Sequence, residues 1–193
     1  MQTKNLSGRE NYILVLLATV ATLWGYDFGQ SDHLEHLPIL YRLLDADYLL
    51  NDDFVNVNTS TYNPRLLLFY VLVPLAKLVG VPALYLVLAW GCNFFTARAT
   101  ALIARIVWQD VATAPLWAAV AVLTVPLSNW GEVAYLRTDI FIPSAAATAF
   151  VLHGLYYLLL QRWLLMALVL GAGAVAHPLV LPVAGAMLWL VGG

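Results

Sequence analysis

Residues 83–108 read ALYLVLAWGCNFFTARATALIARIVW, an apolar run of 26 residues in which Arg98 and Arg105 are the only charged side chains. A helix needs about 20 apolar residues to cross the hydrocarbon layer of a membrane, because every backbone N–H and C=O group must be paired inside the segment. The run is long enough for such a crossing. It therefore predicts a membrane-spanning helix.

The composition of the whole chain agrees with a membrane protein. Of its 193 residues 62% are hydrophobic and 10% are charged, and the mean hydropathy is +0.80. Soluble domains carry about 25% charged residues, so this composition argues against a soluble globular protein. The chain has no basic stripe that could neutralise phosphates, which argues against nucleic acid as a partner.

Other apolar runs lie before and after residues 83–108, and they too contain few charged residues. They cover residues 12–24, 66–79, 111–127, 140–160 and 163–191. The last run contains His177-Pro178, and proline removes a hydrogen bond inside a helix, so we expect two short helices that meet there. We predict an all-α fold: a polytopic integral membrane helical bundle of about six or seven membrane helices in a single domain, residues 1–193.

The basic residues near the first run predict the orientation of the chain. Lys4 and Arg9 precede residues 12–24, and cytoplasmic segments carry an excess of lysine and arginine. We therefore expect a protein of the plasma (inner) membrane with a cytoplasmic N-terminus and an external loop at about residues 27–64.

Two arrangements of the following runs remain open. If residues 66–79 and 83–108 both cross, Arg98 and Arg105 come to lie near the outer face, which is unfavourable. If the shorter run inserts only partly, both arginines lie inside and Asp139 lies outside. The charges favour the second arrangement.

The external loop holds most of the acidic residues. Seven of the 11 lie there, namely Asp27, Asp32, Glu35, Asp45, Asp47, Asp52 and Asp53. Leucine and tyrosine recur at three- and four-residue spacing over residues 34–44, which predicts an amphipathic helix on the membrane surface. We expect its polar side to carry Asp32, Glu35 and His36. These groups could act as a general base or hold a divalent cation, or they could simply form a solvated face.

A second polar segment covers residues 128–139. Its Arg137 could bind a phosphate, and Asp139 could orient a cation or a hydroxyl group; the other interpretation is a minor surface ion pair. His177, beside the helix break, lies where freed backbone carbonyls need polar surroundings. It is therefore either a packed histidine or part of a binding site.

Three segments, taken in order, resemble the N-terminal half of the GT-C superfamily of integral-membrane glycosyltransferases, which use sugars linked to lipid phosphates. They are residues 29–35 (GQSDHLE), 135–143 (YLRTDIFIP) and 170–179 (LGAGAVAHPL). The first differs from the family in having Asp-His where paired acids are usual, so Glu35 would replace the second acid. The chain is also shorter than the family's enzymes, which predicts a fragment or a partial copy.

The resemblance implies sugar transfer at the external face from a lipid-phosphate donor. Asp32 would accept the proton of the acceptor hydroxyl, with Glu35 as the second carboxylate and a divalent cation as a candidate cofactor. It also implies a set of substrate-binding residues, namely His36, Arg65, Arg137, Asp139 and His177.

The alternative is a non-catalytic polytopic membrane protein, either a piece of a transporter or a packing subunit. A broken helix at His177-Pro178 would suit a transporter site. Gly171, Gly173 and Gly185 would suit close packing of helices.

Overall fold

The computed structural model describes residues 5–30, 32–61, 63–64, 66–109, 112–124, 138–178 and 180–192. Within these ranges the regular structure consists of nine α-helices and no strands, which confirms the all-α prediction. The helices are α1 (Gly8–Gly25), α2 (His33–Leu44), α3 (Asp53–Ser60), α4 (Leu66–Val79), α5 (Val81–Val107), α6 (Ala114–Thr124), α7 (Pro143–Leu159), α8 (Trp163–Ala176) and α9 (Val180–Gly192).

Among the described helices, α5 alone is both long and apolar enough to cross a membrane. It has 27 residues, which span about 40 Å at a rise of 1.5 Å per residue. The apolar helix α4 has 14 residues, or about 21 Å, which is short of a hydrocarbon layer of about 30 Å. A bundle with six or seven crossings therefore stays a prediction.

The expected helix breaks are present. Gly80 separates α4 from α5 with a φ of +82°, a backbone conformation that glycine adopts without steric cost. His177 and Pro178 separate α8 from α9, so the last apolar run forms two short helices, as predicted.

Helices α1 and α5 pack antiparallel in a fixed register. Glu10 forms an ion pair with Arg105, and the Thr22 hydroxyl accepts a hydrogen bond from the Asn93 amide at 2.9 Å. Twelve residues separate the two contacts on each helix, so the register does not slip between them. Helix α5 therefore extends well beyond the end of α1.

The bundle has two chemically different ends. We call the end with Glu10, Arg105 and Arg162 the arginine end, and the end with Tyr26, His33 and Phe141 the loop end. Leu160, just before Arg162, packs in one apolar cluster with residues at the start of α1. Arg105 thus lies at the same end as the N-terminal segment, as in the second predicted arrangement. Which membrane face each end adjoins stays a prediction.

Helices α7 and α8 form an antiparallel hairpin that returns the chain to the loop end. A Cβ atom added at Gly154 would lie 2.7 Å from Leu170 Cδ2, and one at Gly173 would lie 2.8 Å from Phe150 Cβ. These contacts pair the end of α8 with the beginning of α7. His177 therefore lies at the level of the first turns of α7.

The close approach at Gly173 predicts a difference between two glycines of α8. An added Cβ at Gly173 would meet Phe150 Cβ, which lies next to the backbone and cannot move aside, whereas one at Gly171 would meet nothing within 4 Å. Overpacking costs about 1–3 kcal/mol, and glycine-to-alanine replacement in a helix gains about 0.5–1 kcal/mol. We expect Gly173→Ala to lower the thermal unfolding temperature in detergent and Gly171→Ala to leave it unchanged or raise it. Equal shifts would contradict the hairpin register.

Candidate functional site

The described residues of the two polar segments predicted from the sequence meet at the loop end. The backbone N–H of Asp27 donates a hydrogen bond to the carbonyl of Asp139 at 3.0 Å. His33 makes a second link to the same segment. We call residues 27–30, 32–33 and 138–141 the polar junction.

His33 bridges the two segments of the polar junction. Its Nδ1 accepts a hydrogen bond from the Gly29 N–H at 3.0 Å, and its Nε2 lies 2.8 Å from the Phe141 carbonyl. A carbonyl only accepts, so Nε2 carries the proton and the ring is the neutral tautomer with Nδ1 unprotonated. Both ring nitrogens are therefore used to join backbone groups of different segments.

The surroundings of His33 keep its ring neutral. The residue is fully buried, and this burial lowers the pKa of His33 below its usual 6.5, against the opposing effects of the Phe141 carbonyl and of the Asp32 and Asp27 carboxylates. Burial disfavours the charged form of an imidazole. The ring therefore acts at this site as a structural link.

Asn93 anchors the second polar segment to α5. Its amide nitrogen donates to the Thr138 carbonyl and to the Thr22 hydroxyl, and its oxygen accepts from the Thr138 N–H, each at 2.9 Å. Both Asn93 and Thr138 are buried. Buried backbone groups outside helices need such partners, so Asn93 allows an irregular segment to lie against the middle of a helix.

Three carboxylates belong to the segments that this buried framework holds together. Asp27, Asp32 and Asp139 are all exposed, although the backbones to which they belong are tied together through His33. Asp32 occupies the N-cap position of α2, where its side chain makes no capping hydrogen bond and where the helix dipole favours a negative charge. Glu35 is exposed in the first turn of the same helix.

His36 does not lie on the polar side of α2, and this expectation was wrong. Its side chain is 7% exposed and its ring packs against that of Phe69, with 5.8 Å between the ring centres. Leu34, expected on the apolar side, is 69% exposed. The buried residues of α2 are 33, 36, 37, 39 and 40, and the hydrogen bonds of His33 hold this side of the helix toward the core.

The other predicted site residues are placed as follows. Asp139 belongs to the polar junction, and His177 lies at the same end, half-buried, directly after α8. Arg65 and Arg137 lie outside the described residues. In the described part of the chain, no group of three or more histidine, cysteine, aspartate or glutamate side chains could hold a metal ion.

Several functional candidates were missed by the sequence analysis. Asp27 lies two residues after the end of α1. It is therefore the first acidic residue of the external loop, and this position could have identified it as a candidate. His33 is adjacent to Asp32, but no periodicity distinguishes a buried histidine from an exposed one. Asn93 lies inside an apolar run, where a single polar side chain carries no signal about its partner.

Comparisons of this chain with protein-family models, with curated proteins and with solved structures found no match.

The bridging role of His33 predicts a graded response to substitution. His33→Leu would leave the Gly29 N–H and the Phe141 carbonyl buried without a partner, at a cost of about 2–4 kcal/mol. His33→Gln keeps one donor and one acceptor, so we expect it to lose less. Thermal unfolding of both variants in detergent measures the difference; a glutamine variant no more stable than the leucine variant would contradict the bridge.

The lowered pKa of His33 predicts a pH effect on stability. As the pH falls below the usual 6.5, the unfolded chain takes up a proton that the folded chain binds only at lower pH. The free energy of unfolding therefore decreases with falling pH. We expect the wild-type chain to lose more stability between about pH 8 and about pH 5.5 than His33→Gln. Identical losses of stability in the two proteins would show that His33 does not contribute to the pH dependence of stability.

Proposed function

We propose that this chain is part of a GT-C-like membrane glycosyltransferase that moves a sugar from a lipid-phosphate donor at the loop end of the bundle. The observation that carries the proposal is the link from His33 to the Phe141 carbonyl. It joins two of the three sequence segments on which the resemblance to the family rests. The backbones that carry Asp27, Asp32 and Asp139 are thereby held at one end of the bundle, and acid–base chemistry needs such positioned carboxylates.

Asp32 is the proposed general base. It accepts the proton of an acceptor hydroxyl while that oxygen attacks the anomeric carbon of the sugar. A new carbon–oxygen bond forms, and the bond from the anomeric carbon to the lipid phosphate oxygen breaks with its electron pair. The phosphate leaves on the lipid, and the proton remains on the carboxylate.

The remaining roles follow from charge. Arg137 or Arg65 is proposed to stabilise the departing phosphate through charge-assisted hydrogen bonds. Glu35, one turn along α2 from Asp32, is the proposed second carboxylate, and Asp139 and His177 are proposed to line the site. We assign no substrate contact to His36, because its ring packs against Phe69.

Exposed apolar faces support a membrane location for several helices besides α5. On α1 the side chains of Leu16, Val20 and Leu23 are exposed and recur at helical spacing. On α8 the side chains of Leu164 and Leu168 are also exposed. Surfaces of this kind fit contact with lipid, which supports the proposed polytopic bundle in the plasma membrane.

A packing subunit is the second candidate, and the glycines favour it. Added Cβ atoms at Gly91, Gly171 and Gly185 would meet nothing within 4 Å. Small residues with open space beside them let another helix approach closely. In this case the chain would assemble with a larger membrane protein and would have no transferase activity of its own.

Transfer from a labelled polyprenyl-phosphate sugar in membranes that contain the chain tests the proposed reaction. We expect Asp32→Asn to reduce transfer by roughly 10²-fold or more, because the base is lost. Arg137→Ala should reduce it through loss of phosphate stabilisation. Asp53→Asn is the matched control, since Asp53 is an exposed acid of the same loop, in α3, and should have little effect.

Two outcomes would decide against the transferase. Transfer that persists undiminished in Asp32→Asn and Arg137→Ala would exclude these residues as its catalytic machinery. An absence of transfer in wild-type membranes, together with co-purification of a larger membrane protein, would favour the packing subunit.

A further inference from the structure

A buried tyrosine hydroxyl lies beside the polar junction without a hydrogen-bond partner. Tyr85 is 1% exposed, and its hydroxyl is the buried side-chain polar atom that no hydrogen bond satisfies in the described part of the chain. A buried polar group without a partner costs about 1–3 kcal/mol. Buried groups of this kind are rare and call for an explanation.

The ring of Tyr85 is fixed in place by three aromatic neighbours. It meets the rings of Phe28, His33 and Phe141 edge to face, with 6.0, 5.0 and 5.3 Å between ring centres. These neighbours come from both segments of the polar junction. The ring therefore cannot turn its hydroxyl out to solvent without breaking the packing of the junction.

Two further tyrosines lie near this hydroxyl. The Tyr85 hydroxyl interacts electrostatically with those of Tyr26 and Tyr41, and both side chains pack on the apolar cluster that contains Tyr85. Tyr26 and Tyr41 are only partly buried. Two of the three tyrosines therefore reach solvent in part, while Tyr85 is the buried one. We call Tyr26, Tyr41 and Tyr85 the tyrosine cluster.

We propose that the tyrosine cluster is the subsite that binds the sugar of the lipid-linked donor, with the Tyr85 hydroxyl bonded to a sugar hydroxyl. This inference rests on the proposed function and adds a binding site to it. A phenol hydroxyl both donates and accepts, so it suits the hydroxyl groups of a sugar. Aromatic rings in turn suit the apolar C–H faces of the sugar.

The charges around the tyrosine cluster favour a neutral ligand over a phosphate. Asp27 follows Tyr26 directly in the chain, and the exposed Asp32 carboxylate belongs to the same polar junction. Both carboxylates would repel an anion bound at the cluster. Burial raises the pKa of Tyr26 to about 12, so its hydroxyl remains protonated at neutral pH. That hydroxyl donates to the Pro82 carbonyl at 3.5 Å and can accept a hydrogen bond from a sugar hydroxyl. The lipid phosphate would then lie away from the tyrosines, and the sugar would lie next to Asp32.

Tyr85→Phe removes the unpartnered hydroxyl and keeps the ring. Its matched control is Tyr70→Phe, at an exposed tyrosine of α4. Both variants and the wild type are reconstituted in lipid nanodiscs. Each is titrated with polyprenyl phosphate carrying glucose, mannose or arabinose, and with bare polyprenyl phosphate. The shift of the thermal unfolding temperature gives the apparent Kd.

We expect Tyr85→Phe to weaken binding of the preferred sugar-carrying lipid by about 3- to 10-fold, as the loss of one hydrogen bond implies. Binding of bare polyprenyl phosphate should not change. The unliganded variant should unfold at the same temperature as the wild type or at a higher one. Tyr70→Phe should behave as the wild type in every titration.

Three results would overturn the inference. The first is unchanged binding of all sugar-carrying lipids by Tyr85→Phe, or no binding of any of them by the wild type. The second is an equal loss for bare polyprenyl phosphate, which would identify a phosphate ligand. The third is a lower unfolding temperature of the unliganded variant, which would show that the hydroxyl is bonded within the fold.

The subsite and the transferase can fail separately. Sugar-specific binding that depends on Tyr85, without any transfer, would leave the subsite standing and overturn the proposed reaction. Transfer that depends on Asp32 and is insensitive to Tyr85→Phe would support the proposed reaction and overturn the subsite.

Discussion

The loop end of the bundle depends on hydrogen bonds from two buried side chains, His33 and Asn93. Irregular backbone cannot be buried unless its N–H and C=O groups find partners, and helices cannot supply them because their own backbone groups are already paired. His33 serves Gly29 and Phe141, and Asn93 serves Thr138 on both its N–H and its carbonyl. The two polar segments can therefore pack on α5 instead of extending into solvent.

This arrangement separates opposite charges along the bundle. Asp27, Asp32 and Asp139 are exposed at the loop end, whereas Arg105, which is paired with Glu10, and Arg162 lie at the other end. Such a separation matches the bias of basic residues toward the cytoplasmic side of membrane proteins. The proposed sugar transfer would then take place at the acidic end of the bundle.

The sequence predicted the helices well and their contacts poorly. The break at His177-Pro178 and the boundary at Gly80 follow from local chemistry, since proline removes a helix hydrogen bond and glycine tolerates a positive φ. The faces of α2 were misjudged, with His36 buried and Leu34 exposed. Apolar periodicity does not reveal that a histidine will be buried to bridge two segments that are distant in sequence. Asp32 and Asp139 were recognised as candidates separately, but Asp27 and Tyr85 were not.

The sequence by itself determined the helical character of the chain, the breaks between its helices and the concentration of acidic residues in one loop. These properties depend on neighbouring residues, because helix formation and its interruption are local events. Only the tertiary structure decided that residues 27–30 and 32–33 meet residues 138–141, that His33 is neutral and buried between them, and that the Tyr85 hydroxyl is buried beside them. The link from His33 to Phe141 joins residues more than 100 positions apart, and local sequence patterns do not reveal such a contact.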